Sequence, residues 1–205
     1  MSKNTELERR CVDVSLRMDK RSEDAQNKPG VIEGTAAKFN KRTKIGEWFY
    51  EEILPGAFDN VLQDDVRCLL NHNTSQVLGR TASNTLDIWV DEVGFHYRYT
   101  TPNRSFAKDL EDMIATGDVS QSSFQFKVEE AIWIEQEDDL DIRQIKKIGK
   151  LYDVAPVTFP AYQDTSVAKR SHEAFMSAKQ SKTRVKSVHE AQIILNKNKF
   201  FNEEV

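Results

Sequence analysis

Residues 117–128 read Gly-Asp-Val-Ser-Gln-Ser-Ser-Phe-Gln-Phe-Lys-Val, three serines running into an alternating aromatic stretch. In an extended chain successive side chains point to opposite faces. Phe124, Phe126 and Val128 therefore share one face with Ser120 and Ser122, while Ser123, Gln125 and Lys127 share the other. The aromatic face belongs in a core, which places Ser122 beside buried rings and Ser123 on the polar, accessible side. A serine in that position is either an ordinary strand residue or a nucleophile, and a nucleophile needs a base within hydrogen-bond reach.

Working outward, the same kind of short run recurs. Val31–Phe39, Trp48–Leu54 and Val66–Leu70 read as strands, with a short helix near Ala57–Leu62 after the Pro55-Gly56 turn. Thr85–Val90 and Phe95–Thr100 read as a hairpin, and Ala131–Glu135, Asp141–Ile148 and Leu151–Phe159 as later strands. The clearest helix is Ser105–Thr116, with Ser105 as its N-cap, a stripe of Phe106, Leu110, Met113 and Ile114, and Gly117 as its stop. Many short strands with few helices predict a mainly β barrel or sandwich with helices on its outside.

The chain has 205 residues, 39% of them hydrophobic and 30% charged, enough for one core without disulfides or metal. Its organisation reads as a loose polar leader over 1–28, with an edge strand around Val12–Leu16, then a body over 29–167 and a flexible tail over 168–205. From Ala168 to Val205 eight Lys/Arg face four Asp/Glu, so the tail is +4 and the remainder −8 in a chain of net charge −4. Within that tail Val185–Phe201 reads as one helix. A basic tail suits nucleic acid, an acidic protein partner or a solvated extension. Without interleaved aromatic and basic residues, nucleic acid is the weakest of the three. No run is long and apolar enough for a membrane helix, and the polar start speaks against secretion. Cys11 and Cys68 lack CxxC spacing or neighbouring ligands, which points to reduced thiols and to no metal site.

Of the four histidines, His72 stands out because Leu-Leu-Asn-His-Asn leaves a buried strand for a polar loop, where a scaffold can present a side chain. It is a base candidate or a plain loop residue. His96 alternates with Phe95 and Tyr97 and reads as packing or surface; His172 and His189 lie in the tail. Asp153 sits inside the apolar stretch Lys-Leu-Tyr-Asp-Val-Ala-Pro-Val, and a carboxylate there either orients a partner or faces solvent. Cys68, in Val-Arg-Cys-Leu-Leu, reads as core.

Five stretches in order, Ile32–Asn40, Glu51–Phe58, Leu70–Asn73 with Val77–Thr81, Gly117–Phe126 and Tyr152–Tyr162, resemble the prohead (capsid maturation) proteases of tailed bacteriophages with an HK97-type capsid. The resemblance spans about Val31 to Val167. It implies the closed β-barrel with flanking helices of the herpesvirus assembly proteases, and peptide hydrolysis by a serine and a histidine. On the matching positions His72 is the histidine, Ser123 the serine, and Asp153 the third, acidic member. Ser122 stands where Met is usual, and Gln125 where Gly is usual. The implied substrates and partners are the major capsid protein with its scaffolding region, the protease itself and the procapsid shell, inside a procapsid assembling in the host cytoplasm; self-association is allowed, and no cofactor is needed. A structural procapsid component of the same fold, without catalysis, is the alternative.

Overall fold

From Gln121 onward the serine-bearing run lies in one continuous strand in the computed structural model, which describes residues 6–12, 16–18, 29–159, 167 and 169–181. In chain order the elements are β1 (Glu8–Val12), β2 (Arg17–Met18), β3 (Val31–Lys38), β4 (Thr43–Ile45), β5 (Phe49–Ile53) and β6 (Arg67–Leu69). There follow β7 (Val77–Arg80), β8 (Asp87–Val90), β9 (Gly94–Thr100), α1 (Ser105–Thr116), β10 (Gln121–Ile134) and β11 (Ile142–Val157).

Two sheets result. The larger runs β1-β10-β11-β5-β4, with β6 and β7 attached beside β11, and the smaller runs β2-β3-β9-β8. β11 is forked: Ile142–Ile145 pair in parallel with β5, while Asp153 and Val154 pair in parallel with β6. Barrel closure requires every strand edge to find the next. Here neither sheet closes, because β1 and β4 end one path and β2 and β8 end the other, so the expected closed barrel gives way to two open sheets.

Their facing sides share one core. Phe58 stacks on Phe95 at 4.4 Å between ring centres, Phe124 on Phe126 at 4.6 Å, and Phe58 meets Phe124 at 5.7 Å. All four rings are fully buried, each contributing about 1.5–3 kcal/mol over exposure.

Several expectations change in detail. Residues 8–12 and 17–18 of the supposed leader are strands, and β1 pairs with β10. The helix expected near Ala57–Leu62 is a chain of turns, since Ala57, Phe58 and Val61 are all buried and Gly56 takes φ 84°. The helix Ser105–Thr116 forms, but Arg104 is its cap without a side-chain bond, and Gly117 ends it at φ 87°. The chain divides into two units at Ala168/Lys169, and residues 169–181 of the second are helical. The helix expected over Val185–Phe201 lies outside the described residues.

Candidate active site

Antiparallel register puts Ser123 opposite Ala155 and Gln125 opposite Asp153. Cross-strand partners share a face, so Ser123 and Asp153 stand on the same side of β10 and β11, away from the aromatic core. The third side chain comes from the short 3-10 turn Leu70–His72 that follows β6. There Asn71 (φ 52°) and His72 (φ 58°) are consecutive left-handed residues, a conformation that is costly without glycine and that clusters at functional sites. Asn71 holds the turn to the end of β11: its Oδ1 accepts from the Thr158 amide at 2.9 Å and its Nδ2 donates to Thr158 Oγ1 at 3.1 Å.

This turn delivers the imidazole between the two strand residues. His72 Nε2 lies 2.8 Å from Ser123 Oγ, and Nδ1 lies 2.5 Å from Asp153 Oδ1. The His72 and Asp153 side chains are only 5% and 6% exposed. With its amide assigned to satisfy both neighbours, Gln125 donates to Asp153 Oδ2 at 2.8 Å and accepts from Arg9 at 3.1 and 3.2 Å. A hydroxyl, an imidazole and a doubly held carboxylate in line form the arrangement that serine hydrolases use to make an alcohol nucleophilic.

The accessible face assigned to Ser123 is corrected. Ser123 is fully buried, because β1 covers it: Cys11 lies opposite Ser123, and the Ser123 hydroxyl donates to the Arg10 carbonyl at 2.9 Å. Ser122 points the other way and bonds the Tyr97 hydroxyl at 2.8 Å inside the core. Cys68 is buried too, and burial, aided by the Asp153 charge, pushes its thiol well above the ordinary range. His96 packs against Trp89 and bonds Thr35 and Asp91. His189 lies outside the described residues.

A second cluster escaped the sequence reading. Arg10 donates to Glu51 through Nε at 2.5 Å and Nη2 at 2.8 Å, and to Glu8 at 2.5 Å. Arg143 donates to Glu8 at 2.8 and 2.9 Å and to Glu51 at 3.1 Å. Burial alone would raise the Glu8 carboxyl, but Arg10 and Arg143 outweigh it and hold Glu8 down at about 2. A groove of about 720 Å³ bordered by Arg17, Glu33, Arg98 and Arg104 contains none of Ser123, His72 and Asp153.

The chain belongs to the caudovirus prohead serine protease family, whose family model matches residues 16–179. It is similar to the solved structure of the bacteriophage T4 capsid assembly protease, gp21, with a TM-score of 0.42 and 10% identity over 73% of this chain and 98% of that one. No curated protein matches it.

Proposed function

We propose that the chain is a serine endopeptidase of procapsid maturation, with Ser123 as nucleophile, His72 as general base and Asp153 as the group that orients the imidazole. The single observation that carries this reading is the continuous line from Ser123 Oγ through His72 to Asp153, with bonds of 2.8 and 2.5 Å. Asp153 on Nδ1 fixes the tautomer that leaves Nε2 able to accept. As Ser123 Oγ bonds to the carbonyl carbon of a peptide, its proton passes to His72 Nε2; the same proton then goes to the departing amine as the C–N bond breaks. Water, deprotonated in turn by His72, releases the acyl group and returns the proton to Ser123.

Family membership supports the protease role. The particular substrates proposed are the scaffolding region of the major capsid protein and the chain itself, cleaved inside the assembling procapsid. Coexpression with the cognate capsid protein tests this: the precursor should be shortened by the wild type and remain intact with Ser123→Ala. A precursor processed equally by both would overturn the assignment. The burial of Ser123 under β1 favours a second reading, a structural procapsid component without catalysis; that reading is upheld if the chain enters procapsids and the precursor stays uncut by wild type.

A further inference from the structure

β1 lies along the edge of β10 in antiparallel register, where main-chain pairing would also seat an extended peptide. Its Arg10 carbonyl takes the proton of Ser123 Oγ in a 2.9 Å bond, while His72 Nε2 waits 2.8 Å from the same oxygen. A hydroxyl has one proton to donate. As long as Arg10 holds it the imidazole cannot receive it, and the covered serine meets no other peptide.

The side chains of β1 are as specific as its backbone. Glu8 and Arg10 face the core side of β10 and enter a wall formed by Glu51 of β5 and Arg143 of β11, which are themselves opposite one another in register. Glu8 lies on Arg143, Arg10 lies on Glu51, and all four are at most 4% exposed. An apolar strand would seal this edge without taking four charges out of water, so the charges serve register and choice rather than bulk stability. The arrangement is also separable. When β1 leaves it takes one acid and one base, and Glu51 and Arg143 remain as a neutral pair 3.1 Å apart. No lone buried charge results on either side.

We propose that β1 occupies the place of a substrate strand, and that Glu51 and Arg143 are specificity-determining residues selecting an acidic–x–basic segment whose basic residue offers its carbonyl to Ser123. The inference rests on Ser123 being the nucleophile. β1 also precedes the residues that the family model matches, so the occupant is a segment outside the matched part of this chain.

The test exchanges the two charges of β1 in the full chain, Glu8→Arg with Arg10→Glu, setting like charge against like. Amide hydrogen exchange over residues 8–12 should quicken at least tenfold, and labelling of Ser123 by a fluorophosphonate should rise by a similar factor. In a Ser123→Ala version of that variant, a fluorescent hexapeptide with Glu two residues before Arg should bind by anisotropy at least tenfold more tightly than one with the two exchanged. A folded variant whose β1 stays protected, or equal binding of both peptides, overturns the proposal. Should the exchanged chain not fold, Arg10→Gln serves for the same measurements with a smaller expected rise, and an unchanged value there overturns it equally. Selective peptide binding without any labelling of Ser123 would instead remove the nucleophile and leave the groove; rapid labelling of wild type with no peptide preference would do the reverse.

Discussion

Among the described residues two hydroxyl–imidazole–carboxylate chains run through this body, alike in chemical groups and different in order, exposure and backbone. One is Ser123–His72–Asp153. The other is Thr35–His96–Asp91, with Thr35 Oγ1 3.0 Å from His96 Nδ1 and His96 Nε2 2.9 Å from Asp91 Oδ1. In the first the carboxylate is on Nδ1 and the hydroxyl on Nε2; in the second they are reversed. The Asp153 side chain is 6% exposed and that of Asp91 47%. Asp91 is also occupied with its own turn, accepting from the amides of Val93 at 2.7 Å and Gly94 at 3.0 Å. His96 sits in a regular strand stacked on Trp89, whereas His72 is held in strained left-handed backbone. Three groups in a row are therefore not enough. A buried carboxylate and a strained turn that aims the ring separate a candidate reaction centre from a hairpin clasp.

The largest effect breaks the comparison at its centre. Ser123→Ala and His72→Ala should each lower peptidase turnover by roughly 10⁴-fold or more, and the double variant should be little worse, because groups acting as a unit are not additive. Thr35→Ala and His96→Ala should leave turnover within about twofold. Cleavage of the capsid precursor followed by gel densitometry checks both arms. Next comes the carboxylate: Asp153→Asn keeps the shape but loses the charge that orients and steadies His72, for an expected loss of about 10²–10⁴-fold in kcat with the far-ultraviolet circular dichroism unchanged. The same change at Asp91 should cost no activity. Near-normal turnover in Asp153→Asn would make the two carboxylates equivalent and remove the distinction drawn between them.

How far this difference could be read in advance varied with the range of the interaction. The two-residue period separated Ser122 from Ser123 correctly, since one bonds Tyr97 in the core and the other faces His72. The loop position of His72 and the acid within an apolar strand were equally local signals. The cover over Ser123 was not local: Glu8 and Arg10 sit in a polar stretch resembling any solvated leader, and their partners Glu51 and Arg143 are distant in sequence. Gln125, read only as a polar-face residue and a departure from the usual Gly, turns out to join Asp153 to Arg9. Asp141–Ile148 and Leu151–Phe159 read as two strands; instead β11 runs unbroken through Gly149, where a side chain's Cβ would lie only 3.0 Å from that of Glu129.

A smaller effect sharpens the serine comparison. Ser122→Ala removes one hydroxyl of a fully buried pair and leaves the Tyr97 hydroxyl to find another partner, a loss of about 1–3 kcal/mol in urea unfolding. Turnover should stay within about twofold of wild type. A fall in activity larger than the fall in stability would mean that the two neighbouring hydroxyls are not divided between core and site as their faces indicate.

The smallest effect concerns acid and the outer clasp. The His96 hydrogen bond first, then the amides of Gly94 and Val93 and the His96 charge, hold the Asp91 carboxyl below its ordinary value of 3.8. A carboxyl lowered by folding contributes stability that is fully present above the unfolded value and disappears as pH falls through the folded one. Wild type should thus exceed Asp91→Asn in Tm at pH 6, and the gap should close as pH falls below about 3.8. Because the side chain is 47% exposed, water and salt screen the interaction, and the gap should be no more than about 2 °C and shrink further in 0.5 M salt. Calorimetric scans of both chains from pH 6 to pH 3 measure it. A gap that widens on acidification would show that Asp91 is stabilised in its protonated form, and the clasp would then have to be rebuilt around a neutral carboxyl donating to His96.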